Sequence, residues 1–408
     1  MSRPEHSGRF SPRPRPRRGV LALGLVIVLP VLMITMGLVL ELALIGYVRE
    51  QLQSAADAAA LAGAAELLDE DRLKPDATPN IEDDAQAAQR FAALFCNYNL
   101  GLGQPWITFS DKPCLVGFGH VANPTDRSSP FESWDGVSDI NQIDINTLQV
   151  YVERSRRFGN QVPLRLAPFF GVVEARIGVQ AAATVDRRVY GFRPKNGAPI
   201  FVAPLTITQS GLPQAWLEQA NAAAVAGAND NFTVDPSTDT VTPGPDGIPE
   251  IRVTAPLPNG DPPDATDTLG TLLFGFSGSD PGGIANQLRV GLEPIDLYEL
   301  DGQLALDENN LLQLNGRTDV DADVVVVLQE IIGKKRIWPL SSIRPDLGQT
   351  GVVYDVTDFA AGRVVDASNG PAGKLTVVIQ PATMPTTTAL VRDGQPLNPY
   401  LAKLYLTR

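Results

Sequence analysis

The chain has 408 residues, of which 44% are hydrophobic, and its formal net charge is −13 at pH 7. This length and apolar content suffice for one or two buried cores, which excludes a wholly disordered protein. The acidic balance excludes nucleic acid as a partner, because contacts to phosphates need a basic surface.

The first 18 residues form a basic tail. They contain six arginines and one glutamate, a net charge of +5, so the remainder of the chain carries −18 to reach the total of −13. Because positive residues stay on the cytoplasmic side of a membrane, we predict a cytoplasmic amino terminus and an extracytoplasmic remainder. Two roles stay open for the arginines: a topology signal alone, or also a contact to anionic lipid.

An uncharged run from Gly19 to Leu40 follows the tail. Its 22 residues would form a helix of about 33 Å, one hydrocarbon thickness, which predicts a membrane-spanning anchor within residues 19–48. A cleaved secretory signal is the alternative. The run is longer than a signal core, and the small-residue sites near Ala58 lie too far beyond its end, so we predict an uncleaved, single-pass anchor in contact with membrane lipid.

The helix is predicted to continue into water, because an alanine-rich segment without a helix breaker extends to Pro75. Glu41 falls near the outer lipid interface. It either reaches water there or pairs with a cation of a neighbouring subunit, as ionisable groups at membrane depth often serve a partner. The small side chains of Ala55, Ala59 and Ala62 would let another helix approach, so we assign helix assembly to these alanines and Glu41.

A second helix is predicted after the linker DEDRLKPDATPN. Asn80 would cap this helix, and apolar residues then recur at helical spacing, namely Ala85, Ala88, Ala92 and Phe95. The helix should therefore pack back on the alanine face of the first one.

Cys96 and Cys114 are the two cysteines of the chain. In an oxidising exterior they would form a disulfide that closes a Gly-rich loop. A pair of buried free thiols is the alternative. A zinc site is not expected, because the chain has two histidines and His6 lies in the predicted cytoplasmic tail.

The middle of the chain has short apolar segments separated by turn residues. The segments TLQVYVER from Thr147, PLRLAPFFG from Pro163 and EARIGVQAAATVDR from Glu174 predict strands of an antiparallel sheet. The sequence thus predicts an α+β fold: the long helix continues into a pilin-like helix-plus-sheet domain over residues 49–190, and a mixed, β-rich α+β region over residues 191–408 follows.

Several features of the amino-terminal part occur in a specific combination. They are a basic pair and glycine before the apolar run, a proline inside it, an acidic residue after it, and the glutamine-containing and alanine-rich stretch that follows: Arg17, Arg18, Gly19, Pro30, Glu41, Gln51, Gln53 and residues 55–64. This combination resembles TadE/TadG-like proteins of the tight-adherence (Flp) pilus system, and with the strands the resemblance covers about residues 17–190. It implies a single-pass protein of the bacterial inner membrane with a minor pilin-like, assembly or adhesion role. Its implied partners are other pilus-assembly components and pilin-like subunits.

The chain differs from related sequences at two features, and these differences limit which properties of the family can be expected here. Prepilin peptidase substrates carry Glu five positions after the small residue that precedes the apolar run, whereas here Gly24 follows Gly19 at that distance. This departure favours the TadG-like branch. Other TadG-like members carry a von Willebrand A domain with a DxSxS metal motif, which does not occur in this sequence, so metal-dependent adhesion of that type is not expected.

Four carboxylates in the carboxyl-terminal half are spaced with turn residues in a way that would gather oxygens around calcium. They are Asp235, Asp239, Asp246 and Glu250. An acidic hairpin is the alternative. The segment DVDAD with Glu330 resembles part of an EF-hand loop but lacks its glycine, so it predicts a helix start capped by Asp319 or Asp321.

A catalytic constellation is missing from the sequence. His120 lacks an accompanying nucleophile motif, and the cations Lys334, Lys335 and Arg336 predict a helix end, where positive charge is favourable. We therefore expect a protein that is not an enzyme and has no cofactor beyond the candidate calcium ion. The preferred function is a membrane-anchored, TadG-like component of Flp pilus assembly. The alternatives are a calcium-stabilised surface-binding protein that retains only the anchor module and, third, an extracytoplasmic hydrolase.

Overall fold

The long helix predicted at the amino end connects the membrane anchor to the folded region. In the computed structural model, helix α1 is continuous over Arg18–Ala65 and passes through Pro30 without a break. The structure describes residues 18–74, 81–98, 100–101, 104–105, 114–126, 128–134, 145–164, 168, 171, 174–195, 197–208, 230–258, 267–275, 280–345, 352–370 and 373–407. The predicted cap Asn80 lies outside these residues.

Further helices and the strands follow α1 in chain order. The other α-helices are α2 Ile81–Tyr98, α3 Pro281–Val290 and α4 Ala322–Glu330, and 3-10 turns occupy Glu70–Leu73, Arg156–Phe158 and Tyr298–Leu300. The first strands are β1 Leu100–Gly101, β2 Gln104–Pro105, β3 Cys114–His120, β4 Glu132–Ser133, β5 Thr147–Arg154, β6 Val162–Pro163, β7 Glu174–Ala175, β8 Ile177–Asp186, β9 Val189–Phe192, β10 Leu205–Thr208 and β11 Phe232–Asp235. The remaining strands are β12 Thr240–Pro243, β13 Ile251–Pro256, β14 Leu269–Leu272, β15 Leu304–Ala305, β16 Leu312–Arg317, β17 Lys335–Pro345, β18 Val352–Asn369, β19 Lys374–Pro381, β20 Met384–Pro385, β21 Ala389–Val391 and β22 Leu401–Thr407.

The first large sheet packs on the second half of α1. Its strand order is β20-β22-β8-β5-β3-β4, and every pair is antiparallel except β20 with β22. The predicted strand TLQVYVER is confirmed as β5, and EARIGVQAAATVDR divides into β7 and β8 around Arg176. Of the predicted strand PLRLAPFFG, only Pro163 lies in a strand, and several of its residues are outside the described ranges.

The second large sheet closes on itself. Strands β10, β14, β16, β18 and β17 pair in a ring, and β19 and β13 extend the sheet from the far half of β18. The pair β10 and β17 is parallel, whereas the other pairs are antiparallel. The core built on this sheet includes Trp338, Tyr354 and Phe359, all fully buried, and residues of α3 and α4 contribute to the same core.

Two hydrophobic cores result. One lies between α1, α2 and the first sheet, and the other fills the closed sheet and its helices. The α+β fold class is confirmed: a long apolar helix leads into a helix-and-sheet unit, and a β-rich region with mixed sheets follows. The predicted pilin-like domain ended at residue 190 and so did not contain β22. In the structure, β22 returns from the end of the chain and pairs with β8 of the first sheet.

Asp358 of β18 is a buried carboxyl group in the second core. Burial raises the pKa of Asp358 to about 7, although the backbone N–H of Phe359 and the side-chain amide of Asn398 donate hydrogen bonds that oppose the shift. Between pH 4 and 7 the folded state therefore retains a proton that the unfolded state has released.

We predict that the stability of the protein falls by on the order of 4 kcal/mol from this group as pH rises from 4 to 7. Asp358→Asn should remove this part of the slope, because the amide has no charge to bury. Denaturant unfolding of the detergent-solubilised chain at each pH measures the effect. Asp355→Asn, on the same strand but partly exposed, is the matched control and should keep the slope. Identical slopes for the wild type and Asp358→Asn would contradict the assignment.

Candidate functional site

The first part of α1 has the exposure expected of a lipid-facing helix. Among the described residues, one helix is long and apolar enough to cross a membrane, and none of the residues in its apolar window is buried. Most large aliphatic side chains from Leu25 to Leu42 are at least 45% exposed, whereas Leu38 is partly buried. A surface of this kind is stable only in lipid, so the chain is membrane-anchored.

The second part of α1 is buried along one face. Its buried residues recur every three or four positions, as expected of a helix that packs on a sheet: Val48, Leu52, Ala56, Ala59, Ala60 and Ala64. Ala55 and Ala59 are buried inside this chain, and Ala62 is partly buried. The alanine face is thus occupied within the chain, and a role for Ala55, Ala59 and Ala62 in contacts between subunits stays a prediction.

At Gly63, α1 approaches its neighbours closely. A Cβ atom at this position would lie 2.8 Å from Cδ1 of Leu148 in β5 and 2.9 Å from the carbonyl oxygen of Ala88 in α2. A larger residue here would push two elements away at once. The prediction that α2 packs on the alanine face of α1 is therefore confirmed, with Ala88 and Ala92 buried at this contact.

Glu41 lies where the lipid-facing surface ends. Its side chain is buried, whereas its neighbours Leu40 and Leu42 are exposed, and it has an interaction partner within the chain. A carboxylate placed this way faces the folded region and not the open lipid. Its predicted pairing with a cation of another subunit is untested and remains a prediction.

Helix α2 has an apolar face that points away from the core. Phe91, Leu94, Phe95 and Tyr98 lie on one side at helical spacing, and all are exposed. The prediction that Phe95 belongs to the packing face is wrong: Cys96, the next residue, is fully buried in its place. An exposed stripe of large apolar side chains is a common mark of an interaction surface.

The segment that forms α1 also matches a known family. Residues 19–66 match the family described as Putative Flp pilus-assembly TadE/G-like. The chain contains a TadE/G-like domain. The resemblance drawn from the sequence is confirmed for this segment, whereas comparisons with curated proteins and with solved structures found no match.

The two cysteines lie beside the TadE/G-like helix. Cys96 of α2 and Cys114 at the start of β3 place their sulfur atoms 3.3 Å apart as free thiols. The contact with Cys114, followed by burial, raises the pKa of Cys96. The fold of α2 and β3 thus brings the two sulfur atoms, which lie on either side of the Gly-rich loop, close to one another. The disulfide stays a prediction.

We predict that the protein, isolated from cells and unfolded without reductant, has no thiol that reacts with a maleimide. A bridge over a loop of this size contributes about 2–4 kcal/mol, so Cys96→Ser with Cys114→Ser should melt earlier under oxidising conditions. With reductant present, the two proteins should melt at closely similar temperatures, which separates the covalent bond from packing. Two reactive thiols in freshly isolated protein would exclude the bond.

The turn that follows α1 joins the TadE/G-like domain to the second core. Leu73 is buried in that core. Glu70 forms ion pairs with Arg363 of β18 at 2.6 Å and with Lys335 of β17 at 2.7 Å. Burial alone would raise the pKa of Glu70, but hydrogen bonds and charge from Arg363 and Lys335 hold it below the ordinary value. The hydroxyl of Thr383 also donates to the carbonyl of Leu68 at 2.6 Å.

A cleft of about 570 Å³ opens beside this junction. The end of α1, Phe91 of α2 and the hairpin β11–β12 contribute to its walls. Its charged lining residues are five acids and two lysines, namely Glu66, Asp69, Glu70, Asp71, Asp246, Lys74 and Lys335. The excess of negative charge makes the cleft unsuited to anions.

We predict that Glu70→Gln destabilises the protein by about 3–5 kcal/mol, because it leaves the buried guanidinium of Arg363 without its carboxylate. Among the described residues, Nε and Nη2 of Arg363 find no hydrogen-bond partner that would compensate. The control Asp71→Asn breaks the surface ion pair with Lys74 and should cost less than about 1 kcal/mol. Thermal melts of both variants in the same detergent make the comparison, and equal losses would contradict the burial argument.

The four candidate calcium ligands do not form one cluster. Asp235 accepts hydrogen bonds from Ser237, Glu250 accepts from the backbone N–H groups of Asn231 and Phe232, and Asp246 accepts from Gln380. Asp239 occupies the turn of the hairpin with a φ of 53°. Within the described ranges, no three His, Cys, Asp or Glu side chains gather as metal ligands. The hydrogen bonds support the acidic-hairpin alternative, and the calcium ion stays a prediction.

The other sequence-predicted features have structural roles. Helix α4 begins after Asp321, one of the two predicted caps, but the Asp321 side chain forms no cap hydrogen bond and pairs with Arg317 instead. His120 lies at the end of β3, where it pairs with Glu132 of the edge strand β4. The cations after α4 do not end that helix as predicted, because β17 begins at Lys335. Arg336 instead donates hydrogen bonds to the carbonyls of Leu288 and Arg289 at the end of α3.

Proposed function

We propose that this chain is a membrane-anchored component of a tight-adherence (Flp) pilus assembly system, with its basic tail in the cytoplasm and its folded region outside the inner membrane. In this proposal the folded region contacts other pilus-assembly components and pilin-like subunits. The chain acts as a TadG-like, minor pilin-like or adhesion subunit and keeps its anchor, since Gly24 stands where processed subunits carry glutamate.

One observation carries the proposal. The segment that matches the TadE/G-like family is a single helix whose first half is exposed and apolar, and whose second half is buried in a folded α/β unit. A continuous helix fixes the distance and orientation of that unit relative to the membrane. An assembly component that presents a surface to other membrane-anchored subunits needs such a fixed position.

We predict that protease added to intact spheroplasts degrades the residues beyond about 50 and spares the amino-terminal tail. The reason is the charge of +5 before Gly19, which holds the tail in the cytoplasm. Immunodetection of a tag at each end follows the two parts. Protection of the carboxyl-terminal tag in intact spheroplasts, with digestion after lysis, would reverse the topology.

The exposed face of α2 is the surface we assign to pilin-like partners. It consists of Phe91, Leu94, Phe95 and Tyr98, and it lies on the helix that packs directly on the TadE/G-like helix. Related subunits anchored by similar helices would meet this face at the same height above the membrane. Large apolar and aromatic side chains are typical anchors of protein interfaces.

A matched pair of tyrosines tests this surface. Tyr98 on α2 is 72% exposed, and Tyr298 in the second core unit is 76% exposed. With a photo-crosslinking residue at either position in cells, we predict a crosslink to a pilus-assembly component from position 98 and a much weaker one from position 298. The crosslink should disappear when the other pilus genes are deleted. Equal crosslinking from both positions would remove the α2 face from the proposal.

A further inference from the structure

The first sheet has an end that faces the membrane. Gln53 of α1 donates a hydrogen bond to the carbonyl of Gln180 in β8, and ten residues further along α1, Gly63 contacts Leu148, which pairs with Ala183 of β8. Strand β8 therefore rises away from the membrane together with α1. The start of β8 and the end of β5, which pairs with it, form the lower end of the sheet.

The lower end lies level with the end of the lipid-facing surface. Ile177, the first residue of β8, lies three residues before Gln180 and so about 10 Å nearer the membrane, a distance that corresponds to about seven residues of helix before Gln53. Leu44 and Ile45 of this part of α1 pack against the core that contains Ile177. The exposed apolar surface of α1 reaches Leu42. Beyond the end of β5, the turn Ser155–Gly159 thus lies at the height where lipid tails give way to headgroups.

This turn is basic in an otherwise acidic exterior. Four arginines and two glutamates lie in this turn, at the end of β5 and in the segment from β7 to the start of β8, namely Arg154, Arg156, Arg157, Arg176, Glu153 and Glu174. Arg176 is paired with Glu153 at 2.8 Å. Arg156 and Arg157 are exposed, and neither forms an ion pair with any residue that the structure describes.

The shape of the turn suits the headgroup layer as well. A cleft of about 260 Å³ lies between the turn and the base of the β6–β7 hairpin, and Arg156, Arg157 and Arg176 line it together with the two glutamates. The guanidinium of Arg157 lies over the ring of Phe158, 5.4 Å from its centre. An aromatic ring beside arginines is a typical arrangement at a membrane interface.

We propose that Arg156 and Arg157 bind the phosphate groups of anionic phospholipids in the leaflet that faces the folded region. The contact holds the lower end of the sheet against the membrane surface around α1. This proposal needs the helix to span a membrane but does not depend on a role in pilus assembly.

Full-length protein in nanodiscs tests the proposal by hydrogen–deuterium exchange of residues 155–160. Exchange should be slower in nanodiscs that contain phosphatidylglycerol than in nanodiscs of phosphatidylcholine alone, by about fivefold for each arginine that reaches the headgroups. High salt should reduce the difference, because it screens the attraction. Exchange of β5 and β8 measures folding in every sample.

Three variants assign the effect to the two side chains. Arg156→Gln with Arg157→Gln should lose the lipid-dependent protection, whereas Arg156→Lys with Arg157→Lys should keep most of it. Arg252→Gln with Lys334→Gln changes the same amount of charge at exposed sites of the second core unit and should keep all of it. Equal exchange in both lipids, or protection that survives the glutamine variant, would overturn the proposal. Equal protection by inorganic phosphate in phosphatidylcholine nanodiscs would assign the site to a free anion and would also overturn it.

Discussion

One continuous helix has to be stable in two solvents. In lipid, every backbone N–H and C=O group needs a partner within the helix, because no water is present to replace it. Outside the membrane, the same helix has to fit against a sheet and a second helix. Helix α1 meets the first requirement with an unbroken helix from Arg18 to Ala65, apart from the one ladder bond that Pro30 removes, and the second with a change of side chains, from large aliphatic residues to alanine. The positions of α2 and of the first sheet follow from this change, because both pack on the alanine-rich half.

The tight packing of the second half explains why small residues are needed there. At Gly63, α1 lies so close to both β5 and α2 that even one additional carbon atom would contact each of them. Protein interiors are packed densely enough that such a change is transmitted to neighbouring elements. The turn after α1 extends this coupling, since Leu73 and Glu70 enter the second core and β22 returns from the second region to the first sheet. The chain thus crosses between the two cores after α1 and again at β22, and both crossings limit the independent motion of the cores.

Local patterns could be predicted from the sequence, and long-range pairings could not. The alternation in TLQVYVER and the helix start at Asp321 depend on neighbouring residues, and both are found as predicted. The pairing of β22 with β8 joins residues more than 200 positions apart, for which the sequence of either strand contains no signal. Arg336 illustrates the same limit. It was expected to stabilise the end of α4, the helix before it, but it caps α3 instead. Only the closed sheet brings α3 close to Arg336.

The candidate site shows a similar division. The apolar run and its length identify the membrane segment directly, because they depend on composition alone. The burial of Ala55 and Ala59 within the chain could not be predicted, since small side chains permit an approach by any helix or strand. Phe95 was assigned to the packing face on spacing, yet Phe95 and Cys96 both fit a helical repeat that tolerates three or four residues. The position of β3 relative to α2 determines which of the two residues is buried, and the residue that contacts β3 is Cys96, through Cys114.

The continuous helix also determines how far each group of charges lies from the membrane. The chain beyond the tail carries −18, which an anionic membrane would repel if all of it lay near the surface. Electrostatic interactions are screened over about 8 Å at physiological ionic strength. Ala65 lies about 30 Å beyond Ile45 along α1, so the acidic junction around Glu70 is several screening lengths from the headgroups. In the proposed lipid contact, the charges nearest the membrane are therefore those at the base of the sheet, where Arg156 and Arg157 are located. A protein can thus be strongly acidic overall and still present a basic surface to the lipid around its anchor.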